Sequence, residues 1–186
     1  MERVDLDEAF AAWAAALTAD QRAALVRWQS DNDGYAHIQR QLRLPDLPYD
    51  ERLDRLIESL ITSIRSGRVP QAITVWRGVR SCIEVFDLPA QDLPSLVGSE
   101  RRHEGFLSVS TEEAVVRERF LAPPGEGGSA LLVLEVKAGE GAAWLPVGGW
   151  SGQADECEML LLPSRRILTT SVTFDGDLPI LRGEVT

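Results

Sequence analysis

The chain of 186 residues carries a formal net charge of -10 and is 44% hydrophobic. This length and composition allow one good hydrophobic core, so we expect a single domain over residues 1–186. The acidic balance disfavours broad nucleic-acid binding, which relies on a basic surface to neutralise phosphates. No run of about eighteen apolar residues occurs, so we expect no membrane span. The acidic N-terminal residues lack the basic flank and apolar segment of a signal peptide, so we expect no secretion by that route.

The cysteine and histidine residues do not indicate a metal site. Cys82 and Cys157 are far apart in the sequence, and His37 and His103 are likewise isolated. A structural zinc site needs several such ligands at short spacing, and a disulfide framework needs more cysteines. We therefore expect no bound metal, no disulfide framework and a reducing compartment.

Residues 1–66 are predicted to be helical. Asp5, Thr18 and Asp50 are typical N-cap residues, and Gln21 completes a capping box with Thr18. The apolar residues recur at helical spacing, so we interpret these helices, with Trp28 among their apolar residues, as packing elements. The predicted helices run from Asp5 to about Leu17, from Thr18 past Trp28, from Gly34 to Leu44 and from Asp50 to Gly67.

Residues 70–186 are predicted to form a mainly β core. Strands are expected over 73–79, 105–110, 129–137, 143–147, 156–162, 167–174 and 178–182, with a loop or short helix over 87–98, a helix over 111–121 and a mobile connection over 123–128. Helices followed by strands are typical of an α+β fold and disfavour alternating βαβ units. Neither GxGxxG nor GxxxxGK[ST] is present, so any nucleotide must be held in another way.

A pair of acids stands where a polar, glycine-containing segment enters a short apolar run that ends at Pro163. Because side chains alternate along a strand, we expect Glu156 and Glu158 on one side, roughly 6.6 to 7 Å apart, with Cys157 on the other. Such a pair suits chemistry at an anomeric carbon, where a cation-like sugar needs fixed negative charge nearby. The alternative is that both acids are solvated charges at a strand end.

Two further extended segments carry a polar residue in an apolar setting: Arg77 in Val-Trp-Arg-Gly and Ser108 in Phe-Leu-Ser-Val-Ser. With the Glu-x-Glu pair, and in this order, they resemble the signature of the R-S-E class of mono-ADP-ribosyltransferases. The segment Tyr35-x-x-Ile38-x-x-x-Leu42-Arg43 resembles the N-terminal helix motif of bacterial toxin members. The resemblance covers about residues 34–174.

Each motif also has a purely structural interpretation. Arg77 could form a salt bridge, Ser108 could bond to its own backbone and Trp76 could be a core residue. Together, the structural interpretations would require three coincidences in a fixed order, which favours the functional interpretation.

The resemblance implies the ADP-ribosyltransferase fold, in which N-terminal helices pack on a β-sandwich-like core of two antiparallel or mixed sheets. The helical part would be residues 1–66 and the catalytic core residues 70–186.

The resemblance also implies how NAD, as a substrate, would be held. Arg77 would bind the phosphates, a task suited to a permanently charged guanidinium that binds bidentately. Gly78 would permit close approach of the backbone. Tyr35, Ser110, Thr111 and Phe120 would shape the nicotinamide and cofactor pocket. No second phosphate-binding arginine is evident unless Arg117 or Arg119 serves.

The same resemblance implies a division of catalytic roles. Ser108 would orient Glu158, and Glu158 would stabilise the oxocarbenium ion as nicotinamide leaves. Glu156 would activate an acceptor arginine, because a guanidinium with a pKa above ~12 must lose a proton to become nucleophilic. Trp150 and Gln153 lie in the expected substrate-recognition loop, residues 148–155.

The function expected on this basis is NAD-dependent transfer of ADP-ribose to an arginine of a target protein. The chain would be a soluble bacterial toxin or effector domain, cytoplasmic in the producer or delivered into a target cell by a specialised secretion system. Further partners would be an immunity protein or an ADP-ribosylhydrolase, with no membrane or nucleic acid. The alternatives are an NAD glycohydrolase and a catalytically idle module that binds NAD or ADP-ribose.

Overall fold

The computed structural model describes residues 5–30, 34–44, 46–48, 50–148 and 153–186. The chain forms two compact units, each built from several segments. The first comprises Met1–Gln71, His103–Ser108 and Ala138–Arg165, and the second comprises Ala72–Arg102, Val109–Lys137 and Arg166–Thr186. Within the described ranges no helix is long and apolar enough to cross a membrane.

The described residues form six α-helices and eight strands. The helices are α1 Leu6–Ala16, α2 Ala19–Trp28, α3 Gly34–Arg43, α4 Glu51–Ser66, α5 Cys82–Phe86 and α6 Glu113–Arg119. The strands are β1 Ile73–Val79, β2 Glu100–His103, β3 Leu107–Ser110, β4 Ala130–Val136, β5 Ala142–Trp144, β6 Glu158–Leu161, β7 Arg165–Asp175 and β8 Leu178–Val185. Short 3₁₀ segments lie at Ala90–Leu96, Pro146–Gly148 and Ala154–Glu156.

The helix starts in the first unit follow from local capping. The Asp5 side chain accepts a hydrogen bond from the Glu8 N–H at the start of α1, and Thr18 and Gln21 form both bonds of the capping box on α2. Asp50 accepts from two backbone N–H groups of the first turn of α4. Each acceptor satisfies N–H groups that a helix leaves unpaired at its start. The predicted helix starts at these three positions are confirmed.

The helical layer of the first unit is held by buried apolar and aromatic side chains. α2 packs against α3 and α4, and α4 also packs against β5. Phe10, Leu25, Leu60 and Ile64 are almost fully buried. The indole N–H of Trp13 donates to the Ser63 carbonyl oxygen at 2.9 Å, which ties α1 to α4. This packing fixes the direction in which the end of α2 points.

Strands are present in both units, in agreement with the predicted α+β class. In the second unit the hydrogen-bonded order is β2-β7-β8-β4-β1-β3, and in the first unit β6 lies between β5 and the start of β3. The pair β4 and β8 is parallel, whereas β1 pairs antiparallel with β3 and β4. The sheet is therefore mixed, as expected.

Three parts of the second unit differ from the sequence prediction. Helix α5 and strand β2 were not predicted. Residues 123–128, expected to be a mobile connection, are tied to their surroundings by backbone hydrogen bonds. The Gly125 N–H donates to the Arg80 carbonyl oxygen at 2.7 Å, and the Ala90 N–H donates to the Gly127 carbonyl oxygen at 2.8 Å.

Candidate active site

Glu158 is the first residue of β6, and the backbone before it is not a strand. Ala154–Glu156 forms a 3₁₀ turn, in which the Glu156 N–H donates to the Gln153 carbonyl oxygen at 3.0 Å. Cys157 then adopts a left-handed conformation with φ 48°. The prediction that Glu156 and Glu158 lie on one side of a single strand is therefore wrong. The expected spacing of the two acids does not apply, because it required extended backbone from residue 156.

The Glu158 carboxylate is buried, with 8% of the residue exposed, and accepts three hydrogen bonds. Ser108 Oγ donates to Oε1 at 2.7 Å, Trp28 Nε1 donates to the same oxygen at 2.9 Å, and Gln29 Nε2 donates to Oε2 at 3.2 Å. We refer to Glu158, Ser108, Trp28 and Gln29 as the Glu158 cluster. The contact between Ser108 and Glu158 that the resemblance implied is present.

Sequence reasoning missed the parts played by Trp28 and Gln29. The sequence predicts Trp28 as a packing residue, and its ring is indeed buried. Its indole N–H, however, donates to the carboxylate of Glu158, 130 positions later in the chain. A buried tryptophan N–H usually needs an acceptor, and a buried carboxylate needs donors. That mutual requirement was the available signal, although it does not identify the partner.

The donors of the Glu158 cluster are uncharged. Removing a carboxylate from water costs free energy unless hydrogen bonds replace its hydration. Three donors, two of them on one oxygen, provide that replacement. The arrangement therefore keeps a buried acid in one orientation.

A side chain of α3 holds the segment that leads to Ser108. Gln39 Nε2 donates to the Phe106 carbonyl oxygen at 2.8 Å. Gly105 leaves room for this side chain, because a Cβ there would lie 1.9 Å from Gln39 Oε1. Phe106 also packs edge-on against Trp28, with ring centroids 5.5 Å apart. Gln39 thus helps to hold the Ser108 segment.

Tyr35 and Gln153 lie in the first unit with the Glu158 cluster. Tyr35 is 52% exposed, and its ring lies edge-on to that of Trp28 with centroids 6.3 Å apart. Gln153 is half-buried and precedes the 3₁₀ turn that ends at Glu156, which is also half-buried. Trp150 lies outside the described residues.

In the second unit, Arg77 and Gly78 occupy neighbouring positions on β1. Arg77 is half-buried and lies opposite Leu132 on β4. Trp76 lies opposite Ser110 on β3. Ser110 is buried, and its Oγ accepts from the Glu112 N–H at 3.1 Å just before α6, with half-buried Thr111 between them. The Ser110 hydroxyl therefore has a local structural partner.

Phe120 packs on Gly78 and on the core of the second unit. It is half-buried and contacts the cluster of Val116, Leu131 and Val133. A Cβ at Gly78 would lie 2.7 Å from both the Cβ and the carbonyl oxygen of Phe120. Phe120 therefore occupies the space that a side chain at position 78 would need.

The two arginines considered as a second phosphate ligand lie at the end of α6. Arg117 forms ion pairs with Glu113 at 2.7 Å and with Asp175 at 3.1 Å. The hydrogen bond to Glu113 is the main cause that raises the pKa of Arg117. The Arg119 carbonyl oxygen accepts from Arg80 Nη2 at 2.9 Å. The paired acids already neutralise the charge of Arg117, which makes it poorly suited to bind a phosphate.

No group of three or more His, Cys, Asp or Glu side chains among the described residues is arranged to hold a metal ion.

The sequence matches the family model described as ADP-ribosyltransferase exoenzyme over residues 7–172. The chain belongs to the ADP-ribosyltransferase exoenzyme family. The match covers Arg77, Ser108 and Glu158, and with the structural neighbours it supports an R-S-E class, toxin-like mono-ADP-ribosyltransferase. No curated protein sequence matches the chain significantly.

Several solved structures share the fold of this exoenzyme. Plx2a, an ADP-ribosyltransferase toxin from Paenibacillus larvae, is 17% identical with a TM-score of 0.78, covering 99% of this chain and 98% of that one. The enzymatic component C2-I of the Clostridium botulinum C2 toxin is 19% identical with a TM-score of 0.79, covering 100% of this chain but 48% of that one. C3stau2 from S. aureus, solved with NAD, is 17% identical with a TM-score of 0.73, covering 100% and 98%. At these identities the likeness shows the fold, and it confirms the predicted ADP-ribosyltransferase architecture.

Replacing Gly78 in this exoenzyme with alanine is expected to lower the free energy of unfolding by about 3 kcal/mol, because the added methyl group meets Phe120 backbone that cannot rotate away. Urea denaturation measures the change. Gly176→Ala in the same unit is the control, since nothing lies within 4 Å of a Cβ there and the cost comes from its φ of 59° alone. That cost is about 1 kcal/mol. Equal destabilisation by the two substitutions would contradict the packing role of Gly78.

Proposed function

We propose that this exoenzyme cleaves the bond between nicotinamide and ribose in NAD and transfers ADP-ribose to an arginine of a target protein. The observation that carries the proposal is the buried carboxylate of Glu158, held by Ser108 in the manner expected of the class. A fixed negative charge next to uncharged donors is suited to stabilise a sugar cation.

Cleavage of the bond between nicotinamide and ribose depends mainly on the negative charge of Glu158. Nicotinamide leaves the positively charged pyridinium form of NAD as a neutral molecule, so the leaving group needs no general acid. The electron pair of the glycosidic bond goes to the nicotinamide nitrogen, and the ribose carbon becomes cationic. Glu158 stabilises this cation in the transition state more than it stabilises the neutral sugar, which is what accelerates the step.

In the proposal Arg77 binds the NAD phosphates. Two features support this assignment. The guanidinium is permanently charged and matches phosphate oxygens bidentately. Strand β1 is paired with β4 along its length from Ile73 to Val79, which gives Arg77 a rigid base. The assignment of NAD as the substrate is also supported by C3stau2, a protein of the same fold that was solved with NAD.

The remaining pocket residues are assigned from the family resemblance. Tyr35, Ser110, Thr111 and Phe120 contact NAD in the proposal. Phe120 has its own support, because its packing on Gly78 and Val116 fixes its backbone while its side chain stays half-buried. An aromatic ring fixed in this way is suited to stack on the flat nicotinamide.

Glu156 activates the acceptor arginine in the proposal. An arginine guanidinium must lose a proton before it attacks the sugar cation, and a second carboxylate can accept that proton. Glu156 is half-buried and ends the turn two residues before Glu158.

Trp150 and Gln153, in the same segment of the chain, contact the target protein in the proposal. The target lies in another cell in this proposal, with the enzyme delivered as a toxin or effector.

Incubation of the protein with NAD and agmatine, a small guanidinium acceptor, tests the proposed function. We expect nicotinamide release together with an agmatine adduct whose mass has increased by one ADP-ribose. Nicotinamide release without an adduct would identify an NAD glycohydrolase, with water as the acceptor. The absence of both products would overturn the enzymatic proposal and leave a binding module.

A further inference from the structure

The end of α2 contributes two of the three donors that hold Glu158. Trp28 is the last residue of α2, and Gln29 is its C-cap. Trp28 Nε1 and Ser108 Oγ both donate to Oε1, whereas Gln29 Nε2 donates to Oε2. The two donors from α2 therefore contact different oxygens of one carboxylate.

The distribution of these donors distinguishes the two oxygens. A carboxylate oxygen accepts about two hydrogen bonds well, one for each lone pair. Oε1 accepts bonds of 2.7 and 2.9 Å, so both of its lone pairs are used. Among the described residues Oε2 accepts one longer bond, of 3.2 Å. The acceptor position that remains for a donor from outside is on Oε2.

The donors themselves are firmly anchored. Trp28 is 3% exposed, and its ring packs edge-on against Phe106 and Tyr35. Gln29 is 4% exposed, and its backbone N–H donates to the Leu25 carbonyl oxygen at 3.1 Å. Their conformational freedom is lost on folding, so holding Glu158 needs no further ordering when a substrate arrives.

We propose that Trp28 and Gln29 are positioning residues that lock the Glu158 carboxylate in its reactive orientation and leave Oε2 to face the ribose of NAD. The inference rests on the proposed function, in which Glu158 stabilises the sugar cation. It adds that the N-terminal helices act on the chemical step through the end of α2. Neither residue touches NAD in this scheme, so both act through Glu158.

Trp28→Phe tests the inference with a small change. Phenylalanine keeps an aromatic ring for packing but removes the indole N–H, leaving Oε1 with Ser108 as its donor. The carboxylate then gains freedom to rotate, and small misplacements of a catalytic group are costly. We expect kcat for nicotinamide release to fall by about tenfold, while KM for NAD stays unchanged. A loss of packing in the NAD site would instead raise KM.

Trp13→Phe is the matched control. Trp13 is also a buried tryptophan of the first unit, and its indole N–H donates to the Ser63 carbonyl oxygen rather than to Glu158. We expect this control to keep the wild-type kcat. Gln29→Met, which keeps the side-chain length and removes the donor to Oε2, gives a second measurement should Trp28→Phe fold poorly. It should also lower kcat with KM unchanged.

The indole N–H resonances provide a readout that is independent of activity. In a protein labelled with ¹⁵N-tryptophan, Glu158→Gln should move the Trp28 indole resonance and leave that of Trp13 in place. An unmoved Trp28 resonance, or wild-type kcat in both Trp28→Phe and Gln29→Met, would overturn the positioning role alone. Absence of NAD cleavage by the wild-type protein would overturn the proposed function, and the positioning role with it.

Discussion

Replacing Glu158 with glutamine is expected to lower the rate of nicotinamide release from NAD by about 1,000-fold or more, and ADP-ribose transfer with it. The amide keeps the shape of the side chain and removes the negative charge that stabilises the sugar cation. Nicotinamide release at saturating NAD, with and without agmatine, measures the effect. Glu135→Gln makes the same chemical change at an exposed position of β4 and should keep wild-type activity.

The geometry of the Glu158 cluster indicates that Glu158→Gln remains folded. The amide oxygen can still accept from Ser108 and Trp28 at the position of Oε1. Rotation of the Gln29 amide presents its oxygen to the new NH₂ group, so one hydrogen bond between the side chains at 29 and 158 can still form. We therefore expect a melting temperature within about 4 °C of wild type. A folded variant that released nicotinamide at the wild-type rate would contradict the catalytic assignment of Glu158.

Local signals in the sequence account for most of what was predicted of the fold. The caps at Asp5, Thr18 and Asp50 act over two or three residues, so a short stretch of sequence contains the whole interaction. The long strand β4 is likewise predictable from its own apolar residues. The missed strand β2 has the opposite character, because Glu-Arg-Arg-His has no apolar periodicity and follows from its place at the sheet edge beside β7.

The error at Glu156 shows the limit of the alternation argument. Two-residue alternation holds only while the backbone stays extended, and one left-handed residue cancels it. That residue is Cys157, at φ 48°. Glycine or asparagine would have suggested a left-handed position, whereas cysteine does not. The pattern Glu-x-Glu therefore identified the acids without giving their geometry.

The Glu158 cluster was predictable in part. The family resemblance paired Ser108 with Glu158, because both belong to its motifs. Trp28 and Gln29 belong to none of those motifs, and 130 and 129 positions separate them from Glu158. The sequence predicts that a buried indole N–H needs an acceptor. Which acceptor it contacts depends on how α2 packs on α4.

Replacing Glu156 with glutamine is expected to separate the two activities. Transfer to agmatine should fall by at least about 100-fold, the usual contribution of a positioned base. Hydrolysis of NAD should continue, because water can attack the sugar cation without removal of a proton from a strongly basic guanidinium. The measurement compares the agmatine adduct with total nicotinamide released by the same sample.

The position of Glu156 makes this experiment selective. Glu156 belongs to the turn before β6, and none of the three hydrogen bonds to Glu158 comes from it. Its substitution therefore leaves the charge on Glu158 and its donors in place, so the cleavage step persists. Asp155→Asn, a charge loss at the preceding exposed residue of the turn, is the matched control and should retain both activities. Equal loss of transfer and hydrolysis in Glu156→Gln would show that both acids serve the cleavage step, and wild-type transfer would show that another group deprotonates the acceptor.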